Sequence, residues 1–440
     1  MSGGAVTVSV YFRLLRSNRN YRLLWFAQII SELGDWFCTV AIYSLLLDFT
    51  GRAESVGIAF VLQVLPLFFA APAAGVINDR LSRKRVMIYS DWCCAVIVFC
   101  MIFARGPHLV WLIYLLLFLQ TIAWTPYEPA RNAVIPNVTE PGELIAANTL
   151  SSTTWSFNFV VGAALGGLFA AYFGRDAVFI FDALSFVASA LLLRRMKFAE
   201  PHAEHRPPLR MSDLADFSPV LEGIQYVRSD RRLLATIFVK TGLGVMAANW
   251  VLLSIYGERL FPLHRPGLSA SNDAMLSMSL LYSCRGIGSV IGPLAGGYWA
   301  GHAQNRLRLG ILLGFLVAGL GYVGLGIAPT LLAACAVIVF AHAGSSTVWV
   351  YSTTLMQLQT DDRFRGRLLS AEFGCRMLMM SISSYLAGFF IDHGAKPQTI
   401  AMAVGIALAI PAAAWALALR LWRDDGNARK ALIDARPEEP

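Results

Sequence analysis

Apolar runs long enough to cross a bilayer recur along the whole chain, with short polar segments between them. A spanning helix needs about 20 mainly apolar residues. The pattern predicts such helices near positions 22–48, 54–77, 86–104, 109–127, 144–172, 176–195, 231–257, 274–299, 309–327, 329–352, 367–391 and 398–421. We therefore expect an all-α membrane protein with about twelve transmembrane helices.

The predicted helices fall into two groups of six. The longest polar segment, at about 196–230, lies almost midway along the chain and is expected to be a central cytoplasmic loop. It separates a six-helix bundle at 1–195 from a second six-helix bundle at 231–440, which ends in a cytoplasmic tail. A spaced motif also recurs between the halves at an offset of 221 residues. Its members are Pro72, Gly75 and Arg85 in the first half and Pro293, Gly296 and Arg306 in the second. Internal repeats of this kind are typical of transporters, so we expect two pseudo-symmetric bundles.

Composition supports a membrane protein and argues against several other classes. Hydrophobic residues make up 56% of the chain and charged residues only 15%, against roughly 25% charged in ordinary soluble domains. The net charge of +8 comes from short basic clusters between apolar runs, which topology explains better than nucleic-acid binding. All seven cysteines lie inside apolar segments without metal-ligand spacing, and no phosphate-binding loop is present. We expect no metal, no cofactor, no nucleic-acid partner and no enzymatic activity.

The basic residues also predict an orientation. Loops on the cytoplasmic side of membrane proteins are enriched in Lys and Arg. With both termini inside, 27 of the 36 basic residues lie in cytoplasmic segments, six lie in outer loops and three lie within helices. We therefore expect a multi-pass protein of the cell membrane with both termini cytoplasmic.

A polar motif follows the second predicted helix. Gly75 permits close helix approach, and Asp79 can lie near a helix N-terminus, where a negative charge is favourable. Arg80 and Arg83 can pair with carboxylates on neighbouring helices. Such pairs would stabilise one conformation and break in another, so we interpret this segment as a gating loop.

This segment resembles the G-x-x-x-D-R-x-G-R-[RK]-x loop of the major facilitator superfamily, with Ser82 in place of the usual glycine. The segments 20–37, 129–136 and 362–367 are similar to the branch of that superfamily that contains enterobactin exporters and macrolide efflux proteins. The resemblance covers nearly the whole chain. It implies a major facilitator fold and secondary transport, usually export, by rocking of two bundles around a central cavity. These motifs describe scaffold and gate and carry no information on cargo.

Two carboxylates lie near the middle of the first predicted helix. Glu32 and Asp35 are three residues apart and therefore share a helix face. A charge at mid-bilayer costs about 2.5–3.5 kcal/mol on insertion scales, so it is rarely present without a role or a partner. Two neighbouring carboxylates oppose each other's ionisation, which favours the binding of a proton. We expect proton coupling or substrate contact here, and pairing with an embedded basic residue is the alternative.

Three basic residues also lie within predicted helices: Lys240, Arg285 and Arg376. If they face the cavity, its second half is positive and its first half is negative, which would suit a zwitterion or an anion. Arg376 could instead pair with Glu372 four residues earlier. Asp91, near the cytoplasmic end of the third helix, is expected to pair with the gating loop.

Together these features predict a secondary active transporter that exports a small molecule, such as a drug-like compound, a siderophore or a metabolite, by proton antiport. An uptake symporter or facilitator, or a lysolipid transporter, is the first alternative. A membrane sensor or assembly partner that does not transport is an alternative of another class. The expected partners are the small-molecule substrate, protons and the lipid bilayer, and the protein is expected to be monomeric.

Overall fold

The computed structural model describes residues 8–140, 143–200, 231–300, 304–359 and 362–420. These residues form helices joined by short connections, with no strand among them. Twelve helices of this described part are long and apolar enough to span a membrane, which confirms the predicted fold class. The predicted central loop at 196–230 and the C-terminal tail lie mostly outside the described residues, so those boundaries stay predictions.

Nine of the spans in the described part contain a single α-helix. They are α1 Arg19–Thr50, α2 Ala53–Arg80, α3 Arg83–Cys100, α5 Leu144–Phe173, α6 Arg175–Arg194, α8 Ala270–Ala300, α9 Gln304–Gly326, α10 Leu331–Gln359 and α11 Asp362–Asp392. The 3₁₀ turn Met101–Phe103 extends α3. The other three, α4 Pro107–Val138, α7 Leu234–Leu260 and α12 Pro397–Arg420, contain changes of winding. A further short helix, Val8–Ser17, precedes α1.

Span α4 is longer than the sequence predicts. The apolar run ends near 127, but a second helical segment, Tyr127–Val138, extends the span to the membrane face on which the α2–α3 turn lies. Pro126 lies at the N-cap and Pro129 lies in the first turn, where no intrahelical donor is needed. Pro136 lies in the last turn, where it removes one intrahelical donor just before the helix ends at Val138. Hydropathy alone could not identify this polar extension.

Local sequence sets the helix ends. The Asn18 side chain accepts a hydrogen bond from Tyr21 N at 2.9 Å and caps α1. Gly51 ends α1 with a φ of +62°, a conformation that favours glycine. The turn between α2 and α3 contains Ser82 at a φ of −62°, so it does not require the glycine usual in the resembling motif. Ser82 instead accepts from Arg85 N at 3.3 Å and caps α3.

The connections lie on two faces of the molecule. We call the face with the Val8–Ser17 helix and the α2–α3 turn the terminal face, and the face with the α1–α2 turn, the α5–α6 turn and segment 261–269 the opposite face. Between them, large apolar side chains are turned outward, as in Leu320 of α9, which is 66% exposed, and Leu184 of α6, which is 60% exposed. An apolar surface of this kind matches a lipid environment.

The two bundles, α1–α6 and α7–α12, meet along two seams. α11 packs along α2, and α8 packs along α5. Glycines permit this close approach: a Cβ on Gly57 would lie 2.9 Å from Ser384 O, and a Cβ on Gly167 would lie 1.7 Å from Ser279 Oγ. The symmetric pairing of these helices agrees with the predicted repeat of the two halves.

On the opposite face, polar contacts join the two bundles. The Asp392 carboxylate at the end of α11 accepts hydrogen bonds from Ala53 N and Glu54 N, both at 2.8 Å. Tyr385 donates to Glu54 Oε1 at 2.9 Å, and Arg259 donates to Gly51 O at 2.8 Å. We call this set of contacts the latch. It holds the bundles together at the opposite face.

A second contact on the same face joins α8 to the first bundle. Arg175 pairs with Asp48 and also donates to Ser271 Oγ at 2.5 Å. Asn272 Nδ2 donates to Ala171 O at 2.7 Å. Both seams are therefore closed at the opposite face.

Candidate functional site

A cavity of about 230 Å³ lies at the boundary of the two bundles. The first bundle supplies most of its wall through α1, α2 and α4, and α7 of the second bundle supplies one residue. The lining residues are Asp35, Trp36, Cys38, Thr39, Ile42, Tyr43, Phe60, Gln63, Leu67, Gln120, Thr121, Trp124 and Trp250. The lining is aromatic and amide-rich, and Asp35 is its charged member.

Asp35 lies in the middle of α1, and its carboxylate accepts few hydrogen bonds. Gln120 of α4 donates to its carboxylate through Nε2 at 3.3 Å, and Thr39 bonds only to its backbone oxygen. Among the described residues, no basic side chain forms an ion pair with it. The structure therefore places a carboxylate at the cavity wall with one amide donor and no counter-charge.

Aromatic rings stack around this carboxylate and form much of the cavity wall. Trp36, the next residue along α1, is parallel to Trp250 of α7, with ring centroids 6.2 Å apart. Phe60 stacks on the same indole at 5.3 Å. Tyr43 donates to Gln63 Oε1 at 2.7 Å and holds α1 against α2. A flat apolar ligand in the cavity could pack against this aromatic wall.

Glu32 lies in a different environment from Asp35. It accepts hydrogen bonds from Gln28 Nε2 at 2.8 Å and from Asn158 Nδ2 of α5 at 3.0 Å. Gln28 continues the network through Ser151 to Arg131 of α4. Three helices of the first bundle are joined in this way, and Glu32 is absent from the cavity lining. The structure therefore separates the two carboxylates that the sequence pattern grouped.

Asp182 of α6 is an acidic neighbour of Asp35 that the sequence analysis did not include among the site residues. It is fully buried, lies beside the Cys38 thiol, and has one carboxylate oxygen without a hydrogen-bond partner in the described part. A Cβ on Gly34 would lie 2.4 Å from Asp182 Oδ1. The signal that could have indicated this contact is the glycine directly before Asp35.

Lys240 and Arg376 share one carboxylate in the second bundle. Glu372 lies 3.2 Å from Lys240 Nζ and 2.9 Å from Arg376 Nε. Both cations also lie over the Trp349 ring, each 4.5 Å from its centroid. The pairing of Glu372 with Arg376 was one of the sequence alternatives. Neither cation lines the cavity, so the structure gives both a packing role in this conformation.

Arg285 of α8 differs from those two cations. Among the described residues it forms no ion pair, and its Nε has no hydrogen-bond partner. The guanidinium instead lies between two rings, 4.4 Å from the centroid of Trp250 and 4.6 Å from that of Phe159. Cation–π contacts contribute about 0.5–2 kcal/mol each, while an embedded charge costs about 2.5–3.5 kcal/mol. The guanidinium is thus stabilised without a counter-charge.

The predicted gating loop lies on the terminal face. Gly75 and Asp79 are exposed, and a Cβ on Gly75 would meet no described atom within 4 Å. Arg83 donates to two backbone oxygens of its own bundle, Asn78 O at 3.4 Å and Ala133 O at 3.2 Å. Arg80 is partly buried beside them. Within the described residues, the hydrogen bonds of Arg83 therefore lead to carbonyl oxygens instead of the expected carboxylates.

The expected pairing of Asp91 with this loop is corrected by the structure. Asp91 is 1% exposed, faces Ser189 of α6, and has one carboxylate oxygen without a partner among the described residues. Eight residues separate it from Arg83, which is about 12 Å along a helix axis. The position that looked close to the loop in sequence is therefore two turns inside the bundle.

Known proteins with related sequences include proteins named as efflux proteins. The chain is 26% identical over 377 residues to macrolide efflux protein A of Streptococcus pyogenes, covering 84% of this chain and 89% of that protein. It is 24% identical over 399 residues to the multidrug efflux pump Tap of Mycolicibacterium fortuitum, covering 88% and 92%.

Solved structures with the same fold are also transporters. A peptide transporter POT in complex with alafosfalin superposes with a TM-score of 0.74 at 13% identity, covering 94% of this chain and 99% of that one. The nucleoside transporter NupG superposes with a TM-score of 0.67 at 13% identity, covering 91% and 98%. The profile of the Major Facilitator Superfamily matches residues 24–384. With twelve spans in two bundles around a cavity, this chain is a multi-pass membrane transporter that belongs to the Major Facilitator Superfamily.

Proposed function

We propose that this protein exports small organic solutes across the cell membrane in exchange for protons, and that Asp35 is the exchange site. The observation that carries the proposal is the position of Asp35, a carboxylate at the wall of the inter-bundle cavity with Gln120 as its donor and no paired cation among the residues that the structure describes. Relatives that are named as efflux proteins support the direction of transport.

The chemistry of a lone embedded carboxylate explains the exchange. An ionised carboxylate away from water is costly, so it is stabilised either by a proton or by a cationic group of a ligand. Both cannot occupy it together. Binding of a proton from one side therefore releases a cationic solute, and release of the proton restores the site for the next solute. Mutual exclusion at one residue produces antiport when the two bundles change conformation only with the site occupied.

The cavity lining favours an aromatic solute with a basic group. Trp36 and Trp250 offer parallel ring faces, and Gln63 and Gln120 offer amide groups for orientation. The volume of about 230 Å³ is smaller than the roughly 300–1,000 Å³ of pockets for drug-sized ligands. We infer that larger solutes require the bundles to separate further at the terminal face.

The closed opposite face supports a loading state for export. The latch joins the bundles there, while Gly75 and Asp79 of the gating loop are exposed at the terminal face. The distribution of basic residues predicts that the terminal face is cytoplasmic. We therefore propose that both termini are cytoplasmic and that this conformation receives solute from the cytoplasm.

A reconstituted transport assay tests the role of Asp35. Asp35→Asn keeps the size and hydrogen-bonding ability of the side chain but cannot bind and release a proton. In proteoliposomes with an imposed pH gradient, a panel of aromatic amines should be concentrated by the wild type and not by this variant, while downhill exchange persists. Asp176→Asn is the matched control, because Asp176 forms an exposed ion pair with Arg105 far from the cavity. Uphill transport by a folded Asp35→Asn protein would refute the proposal.

We also propose that the gating loop controls the rate of conformational change. Asp79→Asn and Arg83→Ala lie outside the cavity, so they should slow transport severalfold and leave solute affinity within a few-fold of the wild type. Initial rates in proteoliposomes and equilibrium binding separate the two quantities. Wild-type transport rates in both variants would remove the gating role.

A further inference from the structure

Two hydrogen-bond donors lie side by side on the second-bundle side of the cavity, and neither has an acceptor among the described residues. One is the Nε of Arg285, and the other is the indole Nε1 of Trp250. The guanidinium carbon lies 4.4 Å from the centroid of the Trp250 ring, so the two groups are in contact. Guanidinium and indole N–H groups donate and accept nothing, which means that only an acceptor group can satisfy them.

Within the described part of the chain, the surroundings supply rings and tyrosine hydroxyls but no carboxylate paired with the guanidinium. Phe159 of α5 covers the other side of the guanidinium at 4.6 Å. The nearby Tyr282 hydroxyl donates to Trp250 O at 2.7 Å and also lies 3.0 Å from Ser254 Oγ, so it is already engaged. In the same bundle, Lys240 and Arg376 differ from Arg285, because both form an ion pair with the carboxylate of Glu372.

One member of the donor pair borders the ligand space. Trp250 belongs to the cavity lining, whereas Arg285 is half-buried and lies against the Trp250 ring, outside the lining. Trp250 stacks on Trp36, which follows Asp35 directly in α1. The cavity therefore has a carboxylate on the α1 side and a pair of free donors behind its α7 wall.

We propose that Arg285 and Trp250 form a subsite for an acidic group of the transported solute, a carboxylate or a related oxyanion. The solute would then be amphoteric, with its basic group at Asp35, its acidic group at the donor pair and its aromatic part against the aromatic wall of the cavity. This inference rests on the proposed function, since it takes the cavity as the solute site, but it makes no use of proton coupling.

The subsite also bridges the two bundles. Arg285 belongs to α8 and Trp250 to α7, while Phe159 belongs to α5 of the first bundle. An anion that draws the guanidinium away from Phe159 removes one contact across the α5–α8 seam. Recognition of the acidic group is therefore linked to the separation of the bundles.

A binding measurement without any pH gradient tests the subsite. The full chain in nanodiscs is equilibrated by dialysis with radiolabelled hydrocinnamate, which carries a carboxylate, and with hydrocinnamide, which has the same shape without the charge. Empty nanodiscs correct for partition into lipid. The wild type should bind hydrocinnamate about tenfold more tightly than hydrocinnamide, a conservative value for a charge-assisted hydrogen bond away from water.

Single substitutions separate the contribution of the Arg285 charge from that of the Trp250 N–H donor. Arg285→Gln should abolish the preference for the acid, and Trp250→Phe, which keeps the ring but lacks the N–H, should reduce it several-fold. Arg105→Gln is the matched control on an exposed arginine and should retain the preference. Because the measurement uses no pH gradient, a failure of proton coupling does not change its result, and the two proposals are distinguished.

Three results would overturn the proposal. The first is equal or absent binding of the two probes by the wild type. The second is a preference for the acid that persists in Arg285→Gln protein whose thermal unfolding matches that of the wild type. The third is displacement of hydrocinnamate by an equal concentration of sodium chloride, which would assign the donor pair to inorganic anions.

Discussion

The latch makes a quantitative prediction about the conformational equilibrium. Asp392 lies at the end of α11, yet its two carboxylate oxygens accept the first amides of α2 in the other bundle, from Ala53 and Glu54 at 2.8 Å each. Its side chain is only 10% exposed. When the opposite face opens, α2 and α11 must separate and this cap is lost. A change at Asp392 therefore acts on the closed conformation and leaves the open one nearly unchanged.

The size of the effect follows from the bonds. In Asp392→Asn, the amide oxygen can accept from one backbone N–H, but the NH₂ group then faces the second donor. A charge-assisted hydrogen bond contributes about 1.5–3 kcal/mol, and a helix N-cap about 0.5–2 kcal/mol. We expect a loss of about 1.5 kcal/mol from the closed conformation. The ratio of open to closed molecules should then rise about tenfold.

Distances between spin labels measure this ratio. Labels at Phe103 of the first bundle and Ile327 of the second, both exposed near the opposite face, report its opening in a background without native cysteines. Asp392→Asn should increase the population with the longer distance about tenfold. Asp176→Asn, the same chemical change in an exposed ion pair with Arg105, should leave the distribution unchanged. Identical distributions for Asp392→Asn and the wild type would refute the view that the latch sets this equilibrium.

Three further predictions test packing and topology. Glu372→Gln leaves two buried cations without their carboxylate and should destabilise the protein by about 3–5 kcal/mol, measured as a lower thermal unfolding temperature in detergent, with partial recovery in the double variant with Lys240→Met. Gly34→Ala places a Cβ within 2.4 Å of a carboxylate oxygen of α6 and should cost about 1–3 kcal/mol in the same assay. In intact cells, an impermeant maleimide should label Lys396→Cys and should spare Leu81→Cys, because the two positions lie on opposite faces.

Each of these has a clear contrary result. An unchanged unfolding temperature for Glu372→Gln would mean that the two cations do not depend on that carboxylate. Gly75→Ala adds the same methyl group where no described atom lies within 4 Å, so equal unfolding temperatures for it and Gly34→Ala would contradict the packing argument. The reverse labelling pattern would invert the orientation and, with it, the proposed direction of loading.

The number and type of the helices could be predicted because each span carries its own signal. An apolar run of sufficient length identifies a spanning helix without any knowledge of its neighbours. The pairing of Glu372 with Arg376 could also be predicted locally, because residues four apart are neighbours on one helix. Asp35 was also identified locally, as a charge within an apolar run.

Contacts between helices could not be predicted in this way. Gln120 and Trp250 reach the cavity from α4 and α7, and their own sequence surroundings do not distinguish them from other polar or aromatic residues of those helices. Asp91 was misplaced because closeness in sequence to the basic loop was taken for closeness in space. Lys240 was grouped with the candidate cavity residues, but it forms an ion pair with Glu372 of α11 and does not line the cavity.

The change of winding within α7 has a mechanical consequence for the cavity wall. A stretch of 3₁₀-helix, Leu243–Ala248, directly precedes the α-helical segment that carries Trp250. A 3₁₀-helix rises about 2.0 Å and turns about 120° per residue, against about 1.5 Å and 100° in an α-helix. Rewinding six residues into an α-helix would shorten this part of the helix by about 3 Å and turn Trp250 by about 120°. Rewinding of this short backbone segment would therefore rotate the Trp250 indole away from the cavity wall without a rearrangement of the other helices.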